Sequence, residues 1–112
     1  MISVDMACGA INRRRIVAFA YHDHDRTVIP LAVVRGRDHR WVLHAWQIDG
    51  TTARGETPPC WANSYLDEIL GFTETGNTFS DSQIPDDYDP FRYRERLCEV
   101  PKIRCRPIEQ PR

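Results

Sequence analysis

The sequence predicts a mainly β domain: a small antiparallel β-barrel carrying a short helix at each end. Two features carry that prediction. Residues 16–21, 26–34 and 40–48 alternate side chains with the two-residue period of strands, and only short polar turns separate them, as in an antiparallel meander. The third stretch, Arg-Trp-Val-Leu-His-Ala-Trp-Gln-Ile, puts Trp41, Leu43, Ala45 and Gln47 on one face and Val42, His44, Trp46 and Ile48 on the other. An apolar load on both faces suits a strand covered on both sides, so this stretch is predicted to be the central one. At 112 residues the chain has room for one core. Residues 1–100 are read as that single domain and residues 101–112, with Pro107 and Pro111, as a loosely held tail.

The elements follow in order. Ser3 is placed to cap a short helix, with Met6, Ala10 and Ile11 at helical spacing and Arg13-Arg14-Arg15 where cations favour a helix C-terminus. The alternative role for that run is contact with nucleic acid. Val17, Phe19 and Tyr21 share one face of the first strand. His22-Asp23-His24-Asp25 makes a hairpin turn into residues 26–34. Pro30 cannot donate to a ladder, so that second strand is expected to be an edge, or bulged or bent there. Residues 35–39 turn into the central strand, and residues 49–59, rich in Gly, Thr, Glu and Pro, read as a mobile loop. Residues 61–72 fit strand and helix almost equally. Residues 73–77 read as a turn, Phe79 as a strand start or an anchor, and 80–89 as acidic and irregular. Asp89-Pro90 then starts a predicted C-terminal helix, with Phe91, Leu97 and Cys98 on its apolar face and Pro101 as its stop.

Charge is unevenly spread along the chain. Residues 1–55 hold eight Arg against five acids, whereas residues 56–91 hold eight acids and no Lys or Arg, so two surfaces of opposite sign are expected. Fourteen of the fifteen basic residues are Arg, the side chain suited to bidentate phosphate and carboxylate contacts and to stacking. Cys8, Cys60, Cys98 and Cys105 include no C-x-x-C pair, and neither a signal segment nor an apolar span is evident. Reduced thiols and a cytoplasmic setting, with no membrane contact, are therefore expected.

The middle of the chain resembles the WYL domain, a small Sm-like or SH3-like β-barrel of bacterial regulators. The resemblance is carried by Phe19-Ala20-Tyr21, by Arg26-Thr27-Val28-Ile29-Pro30, and by Trp41-Val42-Leu43 where the family has Trp-Tyr-Leu. Residues 61–69, Trp-Ala-Asn-Ser-Tyr-Leu-Asp-Glu-Ile, are similar to the family segment ending Leu-Asp-Arg-Ile, and Thr-Gly-Asn-Thr-Phe follows. The matches run over about residues 10–80. The resemblance implies a regulatory module that holds a nucleotide or single-stranded nucleic acid on its central strand with basic residues. It departs at Val42, and at Ala62, Tyr65 and Glu68, which fall in or near places where the family usually carries Arg. Members often carry a helix-turn-helix domain in front; here the barrel is expected to come first.

The candidate ligand site read from these residues is Tyr21, Arg26, Trp41, His44 and Trp46. His44 with Trp46 and a neighbouring Arg would suit a stacked, anionic ligand; otherwise it is a hydrogen-bonded core histidine. Arg26 is the matching cation, with Tyr21 beside it across the hairpin. His22 and His24, with Asp25, offer two or three metal donors, too few for a site, and no cofactor is expected. Gly-rich phosphate loops, Gly-x-Ser-x-Gly elbows and His-Glu-x-x-His pairs are absent, so the chain is read as a non-enzymatic sensor. The alternative is a protein-interaction scaffold that has lost the basic site and meets a basic partner through residues 56–91. A homodimer built on the Pro30 edge is a further expectation.

Overall fold

A computed structural model describes residues 2–52, 55–89, 92, 93 and 95–101. The fold is mainly β: helix α1 (Val4–Asn12) precedes strands β1 (Arg15–Tyr21), β2 (His24–Arg35), β3 (Trp41–Gly50), β4 (Cys60–Tyr65), β5 (Ile69–Thr78) and β6 (Glu95–Glu99). All pair antiparallel in one sheet of order β4-β3-β2-β1-β5, with β6 beside β2. Short 3-10 turns at Leu66–Glu68 and Asp81–Gln83 complete it.

Ser3 caps α1 as its sequence position requires, its hydroxyl accepting from the Met6 amide at 3.1 Å. Ala7, Ala10 and Ile11 form the buried face, while Met6 points outward, contrary to expectation. The β1-β2 hairpin is tighter than predicted. Only His22 and Asp23 lie outside the strands, both at positive φ, the two-residue turn whose twist matches the strands it joins.

The central strand is β2 rather than β3, and β2 is no edge. Its first half pairs with β1 up to Val28, its second half pairs with β6 from Ala32, and β3 runs along the other side. Pro30 falls between the two partners on the first side, at a register shift against β3, which is the bulged alternative. A dimer through a Pro30 edge thus loses its basis. The apolar faces of β3 are as read: Leu43, Ala45 and Gln47 are buried in the core, and His44 is buried on the opposite face.

Residues 61–72 divide into β4, a 3-10 turn and the start of β5. The predicted turn at 73–77 continues β5, where Thr73 and Glu74 pair with Ala18 and Val17. An outer strand with a solvated face tolerates such polar residues. Phe79 is the buried anchor. The sheet curls until its outer strands β4 and β5 stand one short turn apart, but no ladder joins them among the described residues, so the barrel does not close. The Tyr65 amide donates to the Tyr21 hydroxyl at 3.0 Å across this seam.

Residues 95–99, predicted helical, form a strand. The open half of β2 offers a row of backbone partners, and the Val100 amide extends the pairing with a 2.7 Å bond to the Leu31 carbonyl. Leu97 is consequently exposed, and Cys98 is bonded to Cys8 of α1 in a disulfide, which overturns the expectation of reduced thiols. The sequence separation of 90 hides that proximity from sequence reading. Phe91, Cys105 and the tail at 102–112 lie outside the described residues. The acidic stretch hides a fully buried anchor, Tyr88, whose hydroxyl donates to the Val100 carbonyl at 2.8 Å; burial raises its pKa well above the usual phenol value. No helix among the described residues is long and apolar enough to cross a membrane.

Candidate anionic-ligand site

The β2-β3 turn projects cations because its backbone is tightly tied. His39 sits at positive φ with its amide bonded to the Gly36 carbonyl, and the Arg40 amide donates to Asp38 Oδ1. Arg35, Arg37 and His39 from this turn face Arg92, Tyr93 and Glu95 across a concavity of about 630 Å³. Arg35 is held by Glu95 at 3.5 Å, by the His39 carbonyl at 3.1 Å and over the Trp41 ring at 5.0 Å. Arg37 and Arg92 enter no ion pair among the described residues. Cations that converge in excess of the one acid, Glu95, among the described lining residues raise the local potential for an anion.

A second, more apolar recess of about 290 Å³ opens beside it, lined by Val34, Gly36, Val42, Asn63, Tyr65 and Tyr93. It shares Gly36 and Tyr93 with the basic concavity. Strand register makes its floor, because Val34 pairs with Val42 and Val42 with Tyr65. Tyr65 is fixed by donating to Asp38 Oδ2 at 2.7 Å and by the Arg40 guanidinium 3.5 Å over its ring. The same bond raises the Tyr65 pKa and lowers that of Asp38. Asn63 and Tyr93 are steadied from behind by His44: its Nδ1 lies 2.7 Å from Asn63 Oδ1 and 3.3 Å from the Tyr93 hydroxyl. The Asn oxygen can only accept, so Nδ1 carries the proton. Burial lowers the His44 pKa, which favours the neutral ring.

The five residues singled out from the sequence fall in three places. His44 and Trp46 do share a face, and Trp61 joins them, stacked on His44 at 4.6 Å and edge-on to Trp46 at 5.0 Å. His44 is the hydrogen-bonded core histidine; it lines neither recess and holds two residues that do. Arg26 and Tyr21 also come together, the guanidinium 4.7 Å over the ring and its Nη1 donating to Ser64 Oγ at 2.8 Å. They sit at the seam, with Arg26 lining a separate small cavity. Trp41 lies near α1, in a third recess with Ile2, Arg40 and Leu66.

Arg37, Arg92 and Tyr93 were missed as site residues. The available signal is Arg-Gly-Arg in a hairpin turn, while Arg92 and Tyr93 stand just before residues 95–99, a strand where a helix is predicted. Three residues of the second half of the chain are held in place by these contacts. Ala62 is buried, Tyr65 carries Arg40 on its ring, and Glu68 is bonded to both Arg40 and His22. His24 bonds to Thr51, so the two turn histidines take different partners.

Compared with known proteins, the chain matches no family model, no curated protein and no solved structure.

Proposed function

We propose that this chain is a non-enzymatic regulatory module that binds an anionic, nucleotide-like ligand. The observation that carries this is one continuous surface: an aromatic-walled recess between Tyr65 and Tyr93 opening onto a concavity where Arg37 and Arg92 enter no ion pair among the described residues. A base stacks on tyrosine rings whatever its sequence, and guanidinium groups take the phosphates with charge-assisted hydrogen bonds. Asn63 at the recess supplies an amide for a base edge. The lining offers cations, rings and an amide, which serve binding. The resemblance to WYL domains points the same way, with the cations supplied by the β2-β3 turn and Arg92 instead of Arg26.

The scaffold alternative is less well supported, because four of the eight acids it would present are already in ion pairs. Glu74 is paired with Arg13 and Arg15, Asp81 with Arg14, and Asp67 and Glu68 with Arg40. A cytoplasmic setting stands against the Cys8–Cys98 bond, since such bonds are rare there. Alkylation of thiols in freshly lysed cells decides it: a labelled Cys8 fits the cytoplasm, a protected one an oxidising compartment.

The test of function is titration with nucleoside phosphates and short single-stranded oligonucleotides at low salt, followed by thermal shift and calorimetry. Tyr93→Ala should lose about 1–3 kcal/mol of binding if a base stacks there. The absence of saturable binding by any of these ligands defeats the reading.

A further inference from the structure

The hydrogen bonds behind the aromatic recess run in one direction, and His44 sets it. The β3-β4 register places His44 directly opposite Asn63, so the two side chains share a face. Stacking on Trp61, with the planes 10° apart, fixes the plane of the imidazole. Tyr93 comes in from the segment before β6, its ring tilted against His44 at 5.3 Å. Burial lowers the His44 pKa, so the ring stays neutral and Nδ1–H is its one donor. That donor faces two oxygens, Asn63 Oδ1 at 2.7 Å and the Tyr93 hydroxyl at 3.3 Å.

A fixed donor behind two amphoteric groups decides what they present in front. Asn63 takes the His44 proton on its oxygen, so the end of its carboxamide left for a ligand is Nδ2, with two hydrogens. Asn63 is itself exposed and lines the recess. The Tyr93 oxygen is approached by the same Nδ1–H, so its own hydrogen is directed away from His44 and is available to donate. Tyr65 contributes differently, because its hydroxyl proton goes to Asp38 at 2.7 Å and one face of its ring is covered by Arg40. The recess therefore offers stacking surface together with donors from Asn63 and Tyr93.

Base edges differ in how they meet such donors. Guanine presents two adjacent acceptors, O6 and N7, whereas adenine presents N7 beside the N6 amino group. An amino group set against a donor leaves both unpaired, which is costly once water is excluded. Cytosine also carries two acceptors, O2 and N3, but O2 adjoins the sugar, which obstructs an edge-on approach. On the reading that this recess stacks a base, we infer that it selects guanine, with O6 and N7 accepting from Asn63 Nδ2 and the Tyr93 hydroxyl. Arg37 and Arg92 then hold the phosphate in the adjoining concavity.

The experiment is calorimetric titration of the full chain at low salt with the monophosphates of guanosine, inosine, adenosine, cytidine and the 7-deaza analogue of guanosine. Guanosine and inosine monophosphates, which share O6 and N7, should bind alike, and adenosine monophosphate at least about tenfold more weakly. The 7-deaza analogue, which lacks the N7 acceptor, should fall between them. Tyr93→Phe keeps the ring and removes one donor, so it should weaken guanosine and inosine binding and leave adenosine binding unchanged. Asn63→Asp keeps the oxygen that His44 needs and turns the other end into an acceptor, so the ratio of guanosine to adenosine affinity should collapse. Nitrogen NMR of the His44 ring should show the proton on Nδ1. Equal binding of guanosine and adenosine monophosphates, both weakened by Tyr93→Ala, overturns the selectivity while leaving base stacking intact. A guanosine preference that survives Tyr93→Phe and Asn63→Asp, or a His44 proton on Nε2, overturns the assignment of the donors. Failure of every nucleotide to bind overturns this inference together with the function it rests on.

Discussion

Seven of the arginines fall into two groups that the fold uses differently. Arg13, Arg14, Arg15 and Arg40 reach across to acids at 67–81, joining the basic first half of the chain to the acidic second half. Arg35, Arg37 and Arg92 instead converge on one concavity in which Glu95 is the acid among the described lining residues. The uneven spread of charge along the sequence is thus taken up by the first group, while Arg37 and Arg92 of the second enter no ion pair among the described residues. Paired surface arginines contribute little to stability, about 0–1 kcal/mol each. Converging ones raise a potential that an anionic ligand relieves.

The largest effect expected from breaking this contrast is through the disulfide. The wall carrying Arg92 and Tyr93 leads into β6, which Cys8–Cys98 ties to α1. Replacing both cysteines with Ala opens a loop of about ninety residues and should cost about 4–5 kcal/mol in the chain-entropy account. Denaturant unfolding measures the cost, and nucleotide affinity should fall with it. An unshifted midpoint would mean that β6 is held by its ladder alone.

Next in size is the double change Arg37→Ala, Arg92→Ala. Nucleotide affinity at low salt should drop on the order of 100-fold, from two lost charge-assisted contacts. The slope of log affinity against log salt should fall by about two for an oligonucleotide. Arg13→Ala with Arg14→Ala should leave both unchanged. If the two pairs of variants behave alike, the distinction between paired and converging arginines fails.

A smaller effect is expected from pH. Burial holds the His44 imidazole below its ordinary value of 6.5, so the unfolded chain binds a proton before the folded chain does. Its contribution to stability is fully present above about pH 6.5 and is lost as pH falls from there toward the folded value. Melting temperature should drop over that acid limb, and His44→Gln should flatten it. An unchanged limb would assign the acid sensitivity to another group. The smallest effect belongs to the paired side: Glu74→Ala should shift stability by less than about 1 kcal/mol, and less again in high salt.

Legibility followed the range of the interactions. The β1-β2 hairpin, the Ser3 cap and the two faces of β3 could be read because each rests on neighbours within a few residues or on a two-residue period. The failures share one cause. Asp89-Pro90 looked like a helix start, but the strand at 95–99 is set by the vacant half of β2, sixty residues earlier. Thr73 and Glu74 looked like a turn until β1 provided a ladder. Of the site, the residue types were legible as a stock of Arg and aromatic rings, but their grouping was not. His44 and Trp46 were correctly placed on one face, whereas Arg26 lies across the sheet at the seam.

By itself, then, the sequence determined a mainly β domain behind a short capped helix, in a chain rich in arginine over residues 1–55 and in acid over residues 56–91. Those are properties of periodicity, local backbone preference and composition. The tertiary structure alone decided which strand is central, that the barrel stays open, which cysteines meet and which of the described arginines find no acid among the described residues. Each of these depends on contacts between residues far apart in the chain, where burial and backbone pairing outweigh local preference.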